Sequence, residues 1–394
     1  MSDARELDLV VFGATGFTGR LTAEYLARHA PTGLRWALAG RNPDKLDAVR
    51  QHLRGIDPAH GDLALVHADV DDPASLRAVA ERTRVVITTV GPYLTHGEPL
   101  VAACAEAGTD YVDLTGEPEF VDRMWLAHHA TAEASGARIV HACGFDSVPH
   151  DLGVLYTVQQ LRAEGPVTVR GVVRASGMFS GGTFHSAMTA MSRAKQMREA
   201  SGARRRAEPR PEGRRARAVT GKPHRDGRLG FWLLPLPTID PLVVARSAAA
   251  RDDYGPDFRY SHYAGTKSLP YAVGGAVGVS ALAASAQVGP VRRLLLSRVK
   301  QGQGPDERRR ERSWFTVDLV GEGDGRSIHT RVSGGDPGYG ETAKMLAESA
   351  LCLLFDDNPA TSGQVTTAQA MGENLTARLQ AAGIRFEVVG QGGE

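Results

Sequence analysis

Apolar residues recur along this chain in two rhythms. Short runs rich in branched residues, at 7–12, 34–39, 63–67, 85–90, 110–114 and 137–142, have the length of buried strands. Between them the spacing turns helical: Leu21, Tyr25 and Leu26 open the first such segment, and helices are expected over about 43–53, from Pro73, and over about 98–107 and 118–134. Strands alternating with helices at this interval predict an α/β fold with a doubly wound parallel sheet. After residue 143 the pattern changes. A helix over 150–162 carries a stripe of Leu152, Leu155, Val158 and Leu161, and a strand is expected over 167–175 before a glycine-rich loop at 176–182. Phe315, Val317 and Leu319 alternate with polar positions, as do Ile328 and Val332 across a turn at 321–325, which predicts a β-hairpin with a longer loop. An apolar helix over 339–355, a helix over 373–382 and a strand over 384–389 complete the chain. The expected division is a nucleotide-type domain at 1–143 and an α+β domain with a mixed or antiparallel sheet at 144–355. A C-terminal helix and strand at 356–394 would then pack back on the first domain.

The first strand breaks into glycines at Gly13, Gly16 and Gly19, and a helix begins at once. Strand, glycine turn and helix start is the context of a Rossmann-type dinucleotide site. Gly13 permits the tight turn, Gly16 the approach of a pyrophosphate, and Gly19 the close packing of helix on strand. Gly13, Ala14, Thr15, Gly16, Phe17, Thr18 and Gly19 are therefore candidate cofactor-binding residues. The second strand ends at Gly40-Arg41-Asn42, where an acid would bond the ribose of NAD and a basic residue suits the 2′-phosphate of NADP. Arg41 stands there, Lys45 follows one turn later, and the nearest acid, Asp44, lies inside the next helix. The cofactor expected is NADP(H). Asp69, at the exit of the third strand, is placed either to contact adenine or to cap the helix from Pro73. Gly91 and Pro92 follow the fourth strand, beside the nicotinamide half.

The ordered set Gly13-Ala-Thr-Gly-Phe-Thr-Gly19, Gly40-Arg41-Asn42, Val90-Gly-Pro-Tyr93, Asp113-Leu-Thr-Gly-Glu117 and Cys143-Gly-Phe-Asp-Ser-Val-Pro149 resembles the saccharopine dehydrogenase-like oxidoreductases. With Phe258-Arg-Tyr-Ser-His-Tyr263, Gly334-Gly-Asp-Pro-Gly-Tyr339 and Ala368-Gln-Ala-Met-Gly372, the chain is similar over nearly its whole length to their actinobacterial branch, the trans-acting enoyl reductases. That resemblance implies NADPH reduction of the α,β-double bond of a carrier-bound acyl thioester. The enzyme would act in trans with a polyketide synthase lacking its own enoyl reductase, on the way to lipids and glycolipids. It does not imply lysine metabolism, since no Arg/Lys cluster suited to an amino-dicarboxylate stands out.

Composition narrows the classes. With 42% hydrophobic and 23% charged residues, the chain can bury a full core. A net charge of +1 gives no general attraction to nucleic acid. Cys104, Cys143 and Cys352 are far apart and odd in number, which suits a reducing cytoplasm. The N-terminus lacks the apolar region of a signal peptide, so export is not expected. Residues 193–228 hold thirteen Lys or Arg against four acids. They read as a solvated, partly disordered loop, or as a docking surface for acidic carrier proteins or anionic lipid headgroups. Base-stacking aromatics are not interleaved, which disfavours nucleic acid. Residues 269–291 carry no charge, and Arg292 and Arg293 follow. Their length suits a membrane span, but alanine, glycine and serine dominate. A packed helical hairpin or an interfacial lipid-touching element is favoured over a span, with an acyl tunnel or a homodimer surface as further readings. The expected location is cytoplasmic, extending to peripheral contact with the inner face of the plasma membrane.

Reduction of an enoyl thioester needs a hydride for the β-carbon, stabilisation at the thioester oxygen and a proton for the α-carbon. Candidate donors are Tyr93 after the fourth strand, Asp146 and His150 in the connection out of the first domain, and Tyr263 from the second. His185 and Tyr339 are weaker candidates. Tyr263 and Lys267 stand in the Y-x-x-x-K spacing of short-chain dehydrogenases, but Gly265 interrupts it and the pair lies outside the nucleotide domain. Asp336 before Pro337 reads as a turn residue. No metal site is expected, since the histidines are scattered and His128 and His129 are adjacent. Two rival readings stand beside enoyl reduction: an NADPH-dependent imine or carbonyl reductase, and a lipid- or membrane-associated NADP-binding protein without turnover.

Overall fold

The computed structural model describes residues 5–176, 181–298 and 307–393. Its first sheet is built from β1 (Leu7–Phe12), β2 (Trp36–Gly40), β3 (Ala64–His67), β4 (Thr83–Thr88), β5 (Asp110–Val112) and β6 (Arg138–Val140). All pairs are parallel, in the order β6-β5-β4-β1-β2-β3. Every residue of β1 and β2 is buried, as expected of central strands covered on both faces. Strand order reverses between β1 and β4, and a crevice opens there at the carboxyl ends of the strands.

The second sheet begins with β7 (Val167–Ser176), β8 (Arg215–Ala218), β9 (His224–Arg225), β10 (Trp232–Pro235) and β11 (Asp257–Thr266). It continues with β12 (Trp314–Gly323) and β13 (Arg326–Gly334). It is mixed: β11 runs parallel to β7 and β8, while β7–β12, β12–β13 and β10–β11 are antiparallel. The β12–β13 hairpin is tighter than its sequence suggests. The strands pair through Gly321 and Gly323, and the turn is the two residues Asp324 and Gly325, both with positive φ. That backbone matches the right-handed twist of the strands, so no longer loop is needed.

The last strands depart from expectation. β14 (Gly363–Val365) adds to the first sheet beside β6, but β15 (Arg385–Gly393) pairs antiparallel with β13 in the second. The C-terminal strand therefore does not return to the first domain. Conversely, the helix Gly340–Phe355, expected in the second domain, packs on β4 and on the helix Phe17–His29, where Tyr25 donates to Glu348 at 2.7 Å. One core crosses the boundary expected at 143, joining Leu9 and Val11 to Leu152, Leu155, Phe315, Leu319 and Met345.

The basic stretch is not a single loop: it contains the helix Ala194–Ala207 and strands β8 and β9, joined by turns. Arg193 pairs with Glu119 at 2.6 Å, Arg204 with Asp122 and Glu208, and Arg217 with Asp257 at 2.9 Å. Arg204 is itself buried. Acids on neighbouring elements thus take up cations that sequence leaves to solvent. The uncharged segment forms the helix Leu269–Gln287, followed by the helix Gly289–Arg298. Of the expected loop at 176–182, residues 177–180 lie outside the described residues, and Gly181 opens the helix Gly181–Ser192.

Candidate functional site

β1 ends at Gly13, whose φ of 86° makes the turn. The helix Phe17–His29 starts at Gly16 with no side-chain cap and no acid in its first turn, so its N-terminal dipole faces the crevice uncompensated. A Cβ at Gly19 would lie 2.2 Å from the Gly13 carbonyl oxygen, which is why helix and strand approach so closely only with glycine there. At Gly16 the same test meets only that oxygen, at 3.3 Å, and the residue is exposed toward the crevice. This cradle fits a pyrophosphate.

A cleft of about 840 Å³ extends from the turn. Gly13, Thr15, Gly16, Phe17, Thr18, Gly19, Arg41, Gly91 and Pro92 line it, as the sequence anticipates. Ala14 is buried behind the turn and lines nothing. Arg41 is exposed at the exit of β2, where a 2′-phosphate would lie. Lys45 is exposed on the following helix, outside the lining, with its backbone N–H donated to Asn42. Asp69 neither lines the cleft nor caps the helix. Its carboxylate accepts from the Asp71 amide at 3.1 Å, Asp72 caps the helix Pro73–Arg82, and Val70 and Asp71 reach the wall instead.

Four catalytic candidates separate cleanly. Tyr93 borders the cleft, but its hydroxyl turns inward, donating to the Thr88 carbonyl and accepting from the Leu114 amide, both at 3.2 Å. Burial, with Asp113 nearby, pushes this phenol well above its usual range. Tyr93 therefore gives the wall its ring, with its hydroxyl engaged by backbone groups behind it. Tyr263 lies away from the cleft, packed with Val172, Phe231 and Leu233 on the face of β11 opposite His262. Lys267 follows the end of this strand, and neither residue of the Y-x-x-x-K spacing lines the cleft. His150 is buried behind the wall, with Nδ1 2.6 Å from Asp240 Oδ1. Asp146 alone of the four presents a carboxyl to the cleft. Burial, reinforced by Asp240 and opposed by His150, raises it to about 6. Tyr339 also lines the cleft, meeting Phe17 edge to face at 4.8 Å, whereas His185 is outside the lining. Asp336 is the expected turn residue, accepting from the Gly338 and Gly340 amides.

Sequence reasoning missed Glu117. Its buried carboxylate accepts from the Tyr93 and Leu94 amides at 3.1 and 2.9 Å and from the Ser186 hydroxyl at 2.9 Å. It thereby ties the loop after β4 to the helix Gly181–Ser192, which walls the cleft with Ala187, Ala190 and Met191. Its place at the end of the motif Asp113-Leu-Thr-Gly-Glu117 was the available signal, though its burial and partners are tertiary. The sequence also missed a cluster behind Asp146. Asp240 and His262 join His150, with His262 Nε2 3.6 Å from Asp240 Oδ2. Burial alone would raise Asp240, but the two histidines outweigh it and hold the carboxyl low. Burial pushes His262 down to about 4.

Residues 9–140 match the saccharopine dehydrogenase NADP-binding domain. A putative trans-acting enoyl reductase of Mycobacterium tuberculosis is 40% identical across 97% of both chains. A trans-acting enoyl reductase of Mycobacterium ulcerans is 37% identical across 98% of both. Apo saccharopine dehydrogenase (L-Glu forming) from Saccharomyces cerevisiae shares the fold, with a TM-score of 0.56 and 11% identity over 98% of this chain and 100% of that one. The cofactor is NADP(H), in keeping with the glycine cradle and Arg41. The chain is an NADP-dependent oxidoreductase of the saccharopine dehydrogenase-like family and belongs to its trans-acting enoyl reductase branch.

Proposed function

We propose that this protein reduces the α,β-double bond of an acyl thioester carried by a separate acyl carrier protein or polyketide synthase. The observation that carries the reading is the composition of the cleft. Its one end is the glycine cradle with Arg41; its other is an apolar wall of Phe145, Met191, Met197 and Ile239 interrupted by the Asp146 carboxyl. An apolar wall accepts a hydrocarbon chain. Bound NADPH supplies the hydride. The cradle and Arg41 orient the cofactor, Glu117 fixes the loop beside its nicotinamide half, and Asp146 holds a proton near the cleft for the α-carbon. A carboxyl raised toward neutrality suits that role. Cofactor oxidation with matched enoyl, keto and imine substrates tests the reading; turnover of the keto or imine compound alone would assign the rival chemistry, and NADPH binding without turnover the binding-protein reading.

The proposed location is peripheral on the cytoplasmic membrane face. The helix Leu269–Gln287 has a mean hydropathy of 1.4 and is long and apolar enough to cross a membrane, yet only 11% of it is buried. Leu269, Tyr271, Val273, Val277 and Val279 are exposed on it, and Arg293 and Arg298 are exposed on the next helix. A helix with apolar side chains exposed all round it, beside cations, suits anionic lipid. Liposome flotation tests this: replacing Tyr271, Val273 and Val277 by serine should abolish flotation, and an unchanged partition would refer the face to a second copy of the chain.

A further inference from the structure

His150 stands in the first turn of the helix Val148–Leu161, Asp240 opens the helix Asp240–Ala250, and His262 lies in β11. Each is more than nine-tenths buried. One ligand atom from each lies within 4.8 Å of the other two, and the imidazole rings meet edge to face at 4.9 Å. Two of their polar atoms, His150 Nε2 and His262 Nε2, have no hydrogen-bond partner among the described residues, and His150 Nδ1 and Asp240 Oδ1 have only each other, at 2.6 Å. Buried polar atoms are rarely left so, and two unpartnered imidazole nitrogens beside one buried carboxylate need a common explanation. The surroundings also orient the set. The Tyr260 hydroxyl and His262 Nδ1 are 2.9 Å apart. A hydroxyl accepting from Nδ1–H leaves the lone pair of Nε2 facing Asp240. The Thr238 hydroxyl supports the Asp240 carboxylate.

The geometry points to a divalent-cation site of the zinc class held by His150, Asp240 and His262. Two imidazole nitrogens and one carboxylate oxygen suit a borderline ion such as Zn²⁺, and three protein donors leave one position for water. Such an ion takes one nitrogen of His150, Nε2 of His262 and one oxygen of Asp240, and cross-links two helices and a strand. It also lies directly behind the cleft wall: Thr238 and Ile239, which precede Asp240, line the cleft, as do Phe145 and Asp146 one turn before His150.

The test uses the full, untagged chain, stripped with EDTA, and titrated with Zn²⁺ against a chromophoric chelator and separately with Co²⁺. One equivalent of each is expected to bind, with visible d–d absorption for Co²⁺, no thiolate charge-transfer band and a raised Tm. His262→Ala and Asp240→Asn, each shown folded by circular dichroism, lose that equivalent. If the folded wild-type chain takes up neither metal, the proposal is overturned and the cluster is a dry carboxylate–histidine pair. Binding that survives both substitutions overturns it equally. The wild-type titration decides by itself whether the ion binds, so a variant that fails to fold does not alter that result.

Discussion

The position a Cβ would take at Gly19 lies 2.2 Å from the carbonyl oxygen of Gly13. Six residues apart, they clamp the first strand to the first helix and set the shape of the phosphate cradle. Gly19→Ala must push strand and helix apart, costing about 1–3 kcal/mol and weakening NADPH. Gly16→Ala meets only one atom, at 3.3 Å, so it should keep its Tm while losing cofactor affinity. Thermal melts beside NADPH fluorescence titrations separate the two effects. Equal loss of Tm in both variants would contradict the division of roles.

Arg41 is exposed where β2 opens on the cleft, and the acid of the following helix, Asp44, does not line it. Charged hydrogen bonds contribute about 1.5–3 kcal/mol. Arg41→Asp should therefore weaken NADPH roughly 10- to 100-fold and leave NADH nearly unchanged. Parallel titrations check this, and equal loss for both cofactors would remove the phosphate assignment.

Asp146 and Tyr93 predict opposite signatures. Asp146→Asn should lower kcat about 100-fold or more at unchanged NADPH affinity. Tyr93→Phe strips the acceptor from the half-buried Leu114 amide, costing about 1–3 kcal/mol of stability with little change in kcat for the molecules that fold. Steady-state kinetics on both variants, beside their denaturation curves, check the assignment. A kcat collapse in Tyr93→Phe with Asp146→Asn unaffected would reverse it.

All three cysteines are buried, and burial raises each thiol above its ordinary range. Thiolates react and thiols do not. The native protein should therefore resist a disulfide reagent and release three equivalents only when unfolded. Prompt labelling of the folded chain would show that these side chains are accessible.

What could be read in the sequence was local. The turn from Gly13 to Gly19 and the position of Arg41 follow from spacing and backbone demands within one strand–turn–helix unit. The pairing partner of β15 was not legible, because an edge strand joins whichever sheet offers a free edge, and here that edge belonged to β13. Tyr263 was misplaced because strand alternation decides its face, and the packing of β10 and Phe231 against that face is tertiary. The same alternation turns His262 toward His150 and Asp240, which arrive from two helices distant in sequence. Glu117 shows a third limit: an acid beside a proline gives no sign of which amides it will hold.

The most direct test of enoyl reduction supplies NADPH deuterated at the transferred C4 position with an α,β-unsaturated acyl thioester, and locates the label in the product. Enoyl reduction predicts a saturated thioester carrying deuterium on the β-carbon, with the α-proton drawn from solvent. No consumption of the enoyl compound, or deuterium found only on the carbinol or amine carbon of a keto or imine competitor, would contradict it.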